Sequence, residues 1–278
     1  MVKHIAIIEG NHSGLVRHKE GAVYGAAEGF AACLNTLEDN LEFTIIRPHF
    51  DDHIFHDELI DDCDGVIFTG SANNWSADEG PAAPARQMMG LALSSGKPVF
   101  GSCYGMQLAV AVLGGQNRSN PIATEFAIAR DISLTQEGVH HRLYHGKQTR
   151  FDARCMHRDE VACLPSGAVS LATNAHSRHQ AMAYEQDGVC FWGVQYHPEL
   201  QFDDIANYIE KNDVDSFADA RAFATNLSLD ADLAEMIADF RRLSQSDDKA
   251  LIAKYHLTQA LIDPAKHRRE LVNYLTLL

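Results

Sequence analysis

The sequence lacks paired cysteines, a long apolar stretch and an excess of positive charge. None of its six cysteines forms a Cys-x-x-Cys pair and their spacing is irregular, which argues against both a disulfide scaffold and a zinc ribbon. No stretch approaches the roughly 18 consecutive apolar residues that a membrane helix needs. Lysine and arginine number 23 against 38 acidic residues, for a formal net charge of −15, and a field of this sign repels nucleic acid and anionic membranes. We therefore expect neither a nucleic-acid nor a membrane partner.

The amino terminus also lacks the features of a secretory signal. Its apolar run at 5–8 is short, and Glu9 ends it. Because unpaired cysteines suit a reducing compartment, we expect a cytoplasmic protein with free thiols. With 278 residues, 46% of them hydrophobic and 22% charged, the chain has the composition of one globular domain with an appendage.

The first two-thirds of the chain alternates between short apolar runs and helix-like segments. The apolar runs predict strands at 5–8, 43–46, 66–69 and 98–100. The segments between them predict helices at 23–37, 81–94 and 106–113. Short apolar strands separated by helices indicate a parallel sheet that is covered by helices on both faces. The predicted fold class is therefore α/β, a three-layer sandwich around a central sheet.

The later part of the sheet region has a different pattern, in which short turns rather than helices join the strand-like segments. These segments lie at 126–134, 169–173, 181–185 and 189–196. The pair Asp187-Gly188 between the last two is typical of a tight hairpin turn. We therefore expect the central sheet to be mixed, mostly parallel, with an antiparallel part.

Strand-like segments end near Asp203. In the segments that follow, the apolar residues recur at the spacing of an α-helix. Leu233, Ile237 and Phe240, for example, lie three or four residues apart. We predict two units, a domain at 1–202 and a helical C-terminal extension at 203–278. The extension is a candidate for docking, for dimerisation into a homo-oligomer or for a lid, and simple packing against the sheet domain is the alternative.

A strand runs into a helix through Gly101-Ser102-Cys103-Tyr104-Gly105. Two glycines around a central residue permit a sharp strand-to-helix turn that projects the central side chain away from the sheet. The amides and the dipole of the following helix favour a thiolate and can stabilise an oxyanion. The pattern indicates a nucleophilic Cys103, and the alternative is a buried structural cysteine beside a tight turn.

A second motif follows the last predicted strand, where His197 and Glu199 flank Pro198. Residues two apart in extended backbone point to the same side, so the carboxylate can orient the imidazole and stabilise its charged form. The chain order is therefore cysteine, histidine, acid. This order disfavours an α/β-hydrolase, in which the acid precedes the histidine.

With these two motifs the sequence resembles the class I, triad-type glutamine amidotransferase family, and in particular stand-alone proteins similar to the amidotransferase domain of GMP synthase. The resemblance extends over about residues 60–200. It implies that Cys103 is the nucleophile, His197 the general acid and base, and Glu199 the acid that orients His197. It also implies further site residues: an oxyanion hole from the amides of Tyr104 and the Gly70-Ser71 turn, and glutamine contacts from Gln107 and the backbone around Met156, His157 and Arg158.

The sequence departs from the family pattern near the expected substrate. Ser71 stands where GMP synthases have glycine, and Met156-His157-Arg158-Asp159 stands where the family often has Ser-His-Gly-Asp. Arg158 thereby adds bulk and charge beside the substrate rim. Alternatives exist for two of the binding residues, since Gln107 fits an amide on a helix surface and His157 with Asp159 fits a loop pair that stabilises its own turn.

The resemblance implies hydrolysis of the glutamine γ-amide through a cysteine thioester, giving glutamate and ammonia without a metal or cofactor. Two alternatives stay open: a γ-glutamyl peptidase or hydrolase that acts on a small γ-glutamyl amide, and a non-catalytic binding or regulatory protein. The sequence contains no phosphate-binding glycine loop of a synthetase. A synthase that accepts the ammonia would therefore be a separate protein.

Overall fold

The computed structural model describes residues 2–19, 22–50, 60–210, 214–227, 229 and 232–278. Its strands, numbered in chain order, are β1 (Lys3–Ile8), β2 (Arg17–Lys19), β3 (Ala22–Tyr24), β4 (Leu41–Ile46), β5 (Gly65–Phe68), β6 (Pro98–Ser102), β7 (Gln116–Ser119), β8 (Glu125–Leu134), β9 (Arg150–His157), β10 (Asp159–Cys163), β11 (Val169–Thr173), β12 (Ala181–Gln186) and β13 (Val189–Val194). Its helices are α1 (Ala26–Leu34), α2 (Ala83–Ser94), α3 (Tyr104–Val112), α4 (Gln136–His140), α5 (Phe202–Glu210), α6 (Val214–Asn226), α7 (Leu233–Gln245), α8 (Lys249–Lys254), α9 (Gln259–Ile262), α10 (Pro264–His267) and α11 (Arg269–Leu275).

A nine-stranded mixed sheet with the order β4-β1-β5-β6-β13-β12-β11-β8-β9 forms the centre of the molecule. The strands from β4 to β13 pair in parallel, and each later neighbour pairs antiparallel, so only β8 and β12 run against the other seven strands. Two small two-stranded sheets, β7 with β10 and β2 with β3, lie outside it. The predicted mixed, mostly parallel sheet is confirmed.

Successive side chains of the central strands point to opposite faces, and each face has its own apolar cluster. Helices α1 and α11 cover one face, whose cluster contains Ile5, Ile7, Phe30, Leu34, Ile67, Phe100, Trp192, Leu271 and Tyr274. Helices α2 and α3 cover the other, whose cluster contains Ile8, Val66, Phe68, Met88, Met89, Val99, Leu108 and Phe191. This is the expected three-layer arrangement of helices around a sheet.

A third apolar cluster joins β8 to the helices that follow the last strand. It contains Phe126, Ile128, Phe202, Ile205, Phe240 and Tyr255. The last helix, α11, packs elsewhere, because the Tyr274 hydroxyl donates to the carbonyl oxygens of Val66 at 3.1 Å and Pro98 at 3.0 Å. Helices of the 203–278 segment therefore contact both the antiparallel part of the sheet and its parallel centre. The division at residue 202 stays a prediction.

Several elements differ from the sequence-based expectation. The helix predicted at 23–37 begins only at Ala26, because strand β3 occupies Ala22–Tyr24. Strands β7, β9 and β10 were not predicted, since their sequences carry many charged and polar residues. In the part of the chain that the structure describes, no helix is long and apolar enough to cross a membrane.

Candidate active site

Cys103 lies between the end of β6 and the first residue of α3, at the carboxyl edge of the sheet. Its backbone has φ 50° and ψ −104°, a conformation that a residue with a side chain adopts only when the surroundings enforce it. The Cys103 amide donates to the Val194 carbonyl of the neighbouring strand β13 at 2.7 Å, which fixes the turn. The side chain of Cys103 is buried, with 5% of its surface exposed.

The two glycines of the turn are required by close packing. A Cβ at Gly101 would lie 2.6 Å from the carbonyl carbon of Gly105, and a Cβ at Gly105 would lie 2.5 Å from the carbonyl oxygen of Phe68. Neither position has room for a side chain. The Gly-x-Cys-x-Gly pattern therefore follows from how tightly α3 approaches β5 and β6.

His197 and Glu199 follow β13 and lie beside this turn. His197 Nδ1 is 2.6 Å from Glu199 Oε1, and the His197 amide donates to the Arg154 carbonyl of β9 at 2.8 Å. Burial alone would lower the pKa of His197, but the charge of Glu199 and the nearby Cys103 sulfur outweigh it and raise this pKa well above its ordinary value. The site therefore favours a charged imidazole close to the cysteine.

Ser102 joins the same group, although sequence reasoning gave it no role. Its Oγ lies 3.1 Å and 3.3 Å from the two carboxylate oxygens of Glu199 and 3.4 Å from His197 Nδ1. The residue is fully buried. Donation from this hydroxyl to the carboxylate restrains Glu199 in its contact with His197. The one available signal was its position beside Cys103.

The predicted oxyanion donors are backbone amides at the start of α3 and at the Gly70-Ser71 turn. The Tyr104 amide is the first of α3, where an amide has no acceptor within its own helix. Among the residues that the structure describes, the amides of Gly70 and Ser71 have no acceptor. A Cβ at Gly70 would lie 2.5 Å from His197 Cε1, so the imidazole packs directly on this turn. Amides without an acceptor therefore lie next to Cys103 in the chain and on the turn that packs against His197. Their role as oxyanion donors stays a prediction.

The Met156 carbonyl and the Gln195 side chain contact the sulfur. The Cys103 thiol lies 3.7 Å from the Met156 carbonyl oxygen of β9, and Gln195 Nε2 donates to the sulfur at 3.5 Å. The predicted contact with the backbone at Met156 thus lies beside the sulfur. Gln195 was missed by the sequence analysis, but it stands two residues before His197, at the spacing that shares one side of an extended chain.

Gln107 and His157 are buried and contact other protein groups. Gln107 Nε2 donates to the Asp159 carbonyl at 3.0 Å and to Gln195 Oε1 at 3.3 Å, so the alternative of a helix-surface amide is wrong. His157 Nδ1 lies 3.0 Å from the same carbonyl, and its Nε2 lies 2.7 Å from Glu125 Oε2. Roles for Gln107 and His157 in substrate binding stay predictions. In the structure Gln107 contacts Gln195, which donates to the sulfur.

Glu125 is the centre of a buried group of polar side chains. It accepts hydrogen bonds from Asn174 Nδ2 and Gln180 Nε2, both at 2.6 Å, as well as contacting His157. Burial would raise the pKa of Glu125, but the hydrogen bond and charge of His157 outweigh it and hold the pKa below its ordinary value. Arg158 differs, because its side chain is half exposed and its Nε lies 3.2 Å from Asp159 Oδ1 at the rim.

Comparison with known proteins shows the family to which the chain belongs. A family model, "Glutamine amidotransferase class-I", matches residues 30–215. The chain belongs to the class-I glutamine amidotransferase family. One relative, the γ-glutamyl-L-1-hydroxyisopropylamide hydrolase of a Pseudomonas species, is 38% identical over 154 residues, which are 54% of this chain and 51% of that protein. The glutamine-hydrolysing GMP synthase of Shewanella frigidimarina is 32% identical over 140 residues, 49% of this chain and 25% of that protein.

The chain spans about half the length of the first of these relatives and a quarter of the second. Solved structures show the shared fold. A glutamine amidotransferase from Thermotoga maritima has a TM-score of 0.62 at 16% identity and covers 99% of both chains. One from Methylobacillus flagellatus has a TM-score of 0.62 at 17% identity and covers 100% of this chain and 96% of that one.

The family match ends at residue 215, so α7 to α11 of this chain lie beyond it. Within the described ranges, no group of three or more histidine, cysteine or acidic side chains is placed to hold a metal ion. The site described above contains a thiol, an imidazole–carboxylate pair and amides without an acceptor.

Proposed function

We propose that this protein hydrolyses the γ-amide of glutamine through a thioester on Cys103, with His197 and Glu199 completing a catalytic triad. The observation that carries the proposal is the 2.6 Å contact between His197 and Glu199 beside a cysteine held at φ 50°. A strained turn, a charged imidazole and unpaired amides in one place match the requirements of acyl transfer to a thiol.

In the proposed first step the Cys103 thiolate attacks the γ-carbonyl carbon and forms a carbon–sulfur bond. The carbonyl oxygen takes the negative charge and accepts from the amides of Tyr104 and the Gly70-Ser71 turn. The carbon–nitrogen bond breaks as His197 gives its proton to the nitrogen, and ammonia leaves. The product of this step is a γ-glutamyl thioester.

In the second step a water molecule gives a proton to His197 and attacks the thioester carbonyl. The carbon–sulfur bond breaks, glutamate leaves and the Cys103 thiolate is restored. Glu199 keeps the imidazole oriented and stabilises its charge throughout, and it gains no proton. Each step consumes only the substrate and water.

A second candidate substrate is a small γ-glutamyl amide of an organic amine. The observation that favours it is the 38% identity to the Pseudomonas hydrolase, whose name gives such an amide as its substrate. Arg158 at the rim is a second point in its favour, because it stands where the family often has glycine. Both candidates share the γ-carbonyl and the thioester, and they differ only in the amine that leaves.

One assay separates the candidates. Glutamate release is measured from glutamine and from γ-glutamyl-1-hydroxyisopropylamide, with the native protein and with Cys103→Ala. Glutamine turnover that the variant loses supports the first candidate, and turnover of the organic amide alone supports the second. No turnover of either compound would contradict both and favour a non-catalytic binding protein.

The segment at 203–278 is proposed to be a packing extension of a cytoplasmic enzyme. The contacts of Tyr274 with Val66 and Pro98 support packing as its main role. Ammonia from glutamine would be used by a separate synthase, and exposed helix faces of the extension are the proposed docking or dimerisation surface. Light scattering with size-exclusion chromatography tests the dimer, since a single species at the 30.7 kDa chain mass would contradict it.

A further inference from the structure

We propose that Asn11 is a positioning residue that fixes the oxyanion turn at Gly70-Ser71, and that the Ser71 hydroxyl is the second part of this restraint. The inference rests on the proposed function, in which this turn donates to the oxyanion. Asn11 Oδ1 accepts from the Ala72 amide at 2.8 Å and from Ser71 Oγ at 3.3 Å. Both contacts hold the chain immediately after the donor amides.

The Ser71 hydroxyl bridges two segments. It donates to Asn11 and also accepts from the Asn73 amide at 3.0 Å. Ser71 stands where the GMP synthases that this chain resembles have glycine, which cannot make either contact. The departure from the family pattern therefore has a structural use here, because it ties the turn to the loop after β1.

The orientation of the Asn11 amide is itself fixed by Glu9. Asn11 Nδ2 donates to Glu9 Oε1 at 2.8 Å, and the Asn11 backbone amide donates to the same oxygen at 3.0 Å. The other carboxyl oxygen of Glu9 accepts from the Ala27 amide of α1 at 2.9 Å. Since the Nδ2 atom faces a carboxyl group, the Oδ1 atom must face the turn.

Glu9 is fully buried, and burial raises its pKa although the hydrogen bonds from Ala27 and Asn11 oppose this effect. A buried carboxyl with three amide donors has little freedom to move. Asn11 is thus anchored to helix α1 on one side and holds the turn on the other.

Gly10 packs against the same turn, on the side of the Gly70 carbonyl. A Cβ at Gly10 would lie 2.7 Å from the Gly70 carbonyl oxygen, so the two backbones are in direct contact. The Gly10 amide donates to Thr69 Oγ1 at 2.9 Å, and that hydroxyl donates to the Gly70 carbonyl at 2.8 Å. Thr69 thus holds the Gly70 carbonyl, and Asn11 holds the Ala72 amide that follows the turn. Restraint on both sides gives the Gly70-Ser71 turn one orientation.

The test compares Asn11→Ala, Ser71→Gly and the double variant on the γ-glutamyl substrate that the native protein turns over. We expect kcat to fall roughly 10- to 100-fold for Asn11→Ala, with KM changed by less than about threefold, because the oxyanion exists only in the transition state. Ser71→Gly should lose less, about threefold to tenfold. The two losses should not multiply in the double variant, since both act on one turn.

Alkylation of Cys103 by iodoacetamide separates positioning from general damage. This reaction displaces iodide at a saturated carbon and forms no oxyanion, so its rate should stay native in both single variants. Asn35→Ala, an exposed asparagine at the end of α1, is the matched control and should keep native kcat. A native kcat in Asn11→Ala, or alkylation that slows in parallel with kcat, would overturn the proposal.

Hydrogen exchange at the Ala72 amide gives a readout that needs no turnover. We expect it to be protected in the native protein and to exchange faster in Asn11→Ala. If the native protein turns over no γ-glutamyl compound, the proposed function fails, and unchanged exchange at Ala72 would separately show that Asn11 does not hold the turn. If Asn11→Ala fails to fold, the kinetics of Ser71→Gly provide the test. A native kcat in Ser71→Gly would overturn the proposal.

Discussion

Gly70 and His197 are packed so closely that a Cβ at position 70 would lie 2.5 Å from Cε1 of the imidazole. Real Cβ atoms do not approach a carbon this closely, so a side chain at position 70 must push the ring or the turn away. The same glycine supplies one of the proposed oxyanion amides. The position of His197 and the position of the turn are therefore coupled through one contact.

Gly70→Ala should lower kcat by about 100-fold, because displacing a catalytic group by about 1 Å has an effect of this size. Steady-state kinetics on the active γ-glutamyl substrate gives the value. Gly29→Ala is the matched control, since a Cβ at Gly29 on the exposed side of α1 meets nothing within 4 Å. Native kcat in Gly70→Ala would mean that the imidazole does not need its observed position.

Glu199→Gln should move the basic limb of the pH–rate profile to lower pH. Since the negative charge of Glu199 and the Cys103 sulfur together raise the pKa of His197 above its ordinary value, removing the Glu199 charge lowers that pKa. The thiolate–imidazolium form is lost as pH rises through the His197 pKa. In Glu199→Gln this loss therefore occurs at lower pH than in the native protein. Profiles of kcat/KM against pH for both proteins make the comparison, and a basic limb that stays in place would contradict the role given to Glu199.

Glu270→Ala should reduce the free energy of unfolding by about 3–5 kcal/mol, because it leaves the buried ammonium group of Lys147 without its partner. Lys147 Nζ lies 2.5 Å and 2.7 Å from the carboxylate oxygens of Glu270, and both side chains are buried. Burial lowers the pKa of Lys147, and the charge of Glu270 opposes this effect. Urea unfolding measures the loss.

The control for that prediction is Glu38→Ala, which breaks the more exposed pair with Lys3 and should cost less than about 1 kcal/mol. The double change Lys147→Met with Glu270→Leu should recover much of the stability that Glu270→Ala loses. Equal losses in Glu270→Ala and Glu38→Ala would show that the buried pair contributes no more to stability than the exposed one.

Glu125→Gln should lose stability at neutral pH, with a difference from the native protein that shrinks in acid. The pKa of Glu125 is held below its ordinary value of 4.5, so its contribution is present above that value and is lost as pH falls through the lower folded pKa. Thermal or urea unfolding of both proteins over this pH range gives the difference. A difference that grows as pH falls below about 4.5 would contradict this assignment.

Much of the fold could be predicted because local sequence patterns, namely apolar runs and turn residues, specify its strands and turns. The apolar runs of β1, β5 and β6 are continuous, and the turn Asp187-Gly188 has the positive φ angles of 55° and 81° that its sequence suggests. Strand β9 escaped prediction because charged residues interrupt it. Those charges find partners only in the folded chain, where Arg130 Nη1 lies 3.2 Å from Asp152 and Arg154 donates to the Leu200 and Leu261 carbonyls.

Part of the candidate site, like much of the fold, could be predicted from the sequence. Cys103, His197 and Glu199 stand in motifs whose geometry follows from short-range rules, so their positions could be inferred. Ser102 and Gln195 stand beside motif residues, but their contacts with Glu199 and with the Cys103 sulfur form only when β6 and β13 pair. The restraint by Asn11 depends on which loops meet at the sheet edge. No local pattern encodes that meeting, because residues 60 apart in sequence make the contact between Asn11 and Ser71.

Trapping the covalent intermediate tests the central claim most directly. The native protein is mixed with the active γ-glutamyl substrate, quenched in acid during the first turnover and analysed by peptide mass spectrometry. We predict a γ-glutamyl adduct on the peptide that contains Cys103 and no adduct in Cys103→Ala. An adduct on a different residue, or substrate turnover by Cys103→Ala, would contradict the claim that Cys103 is the nucleophile.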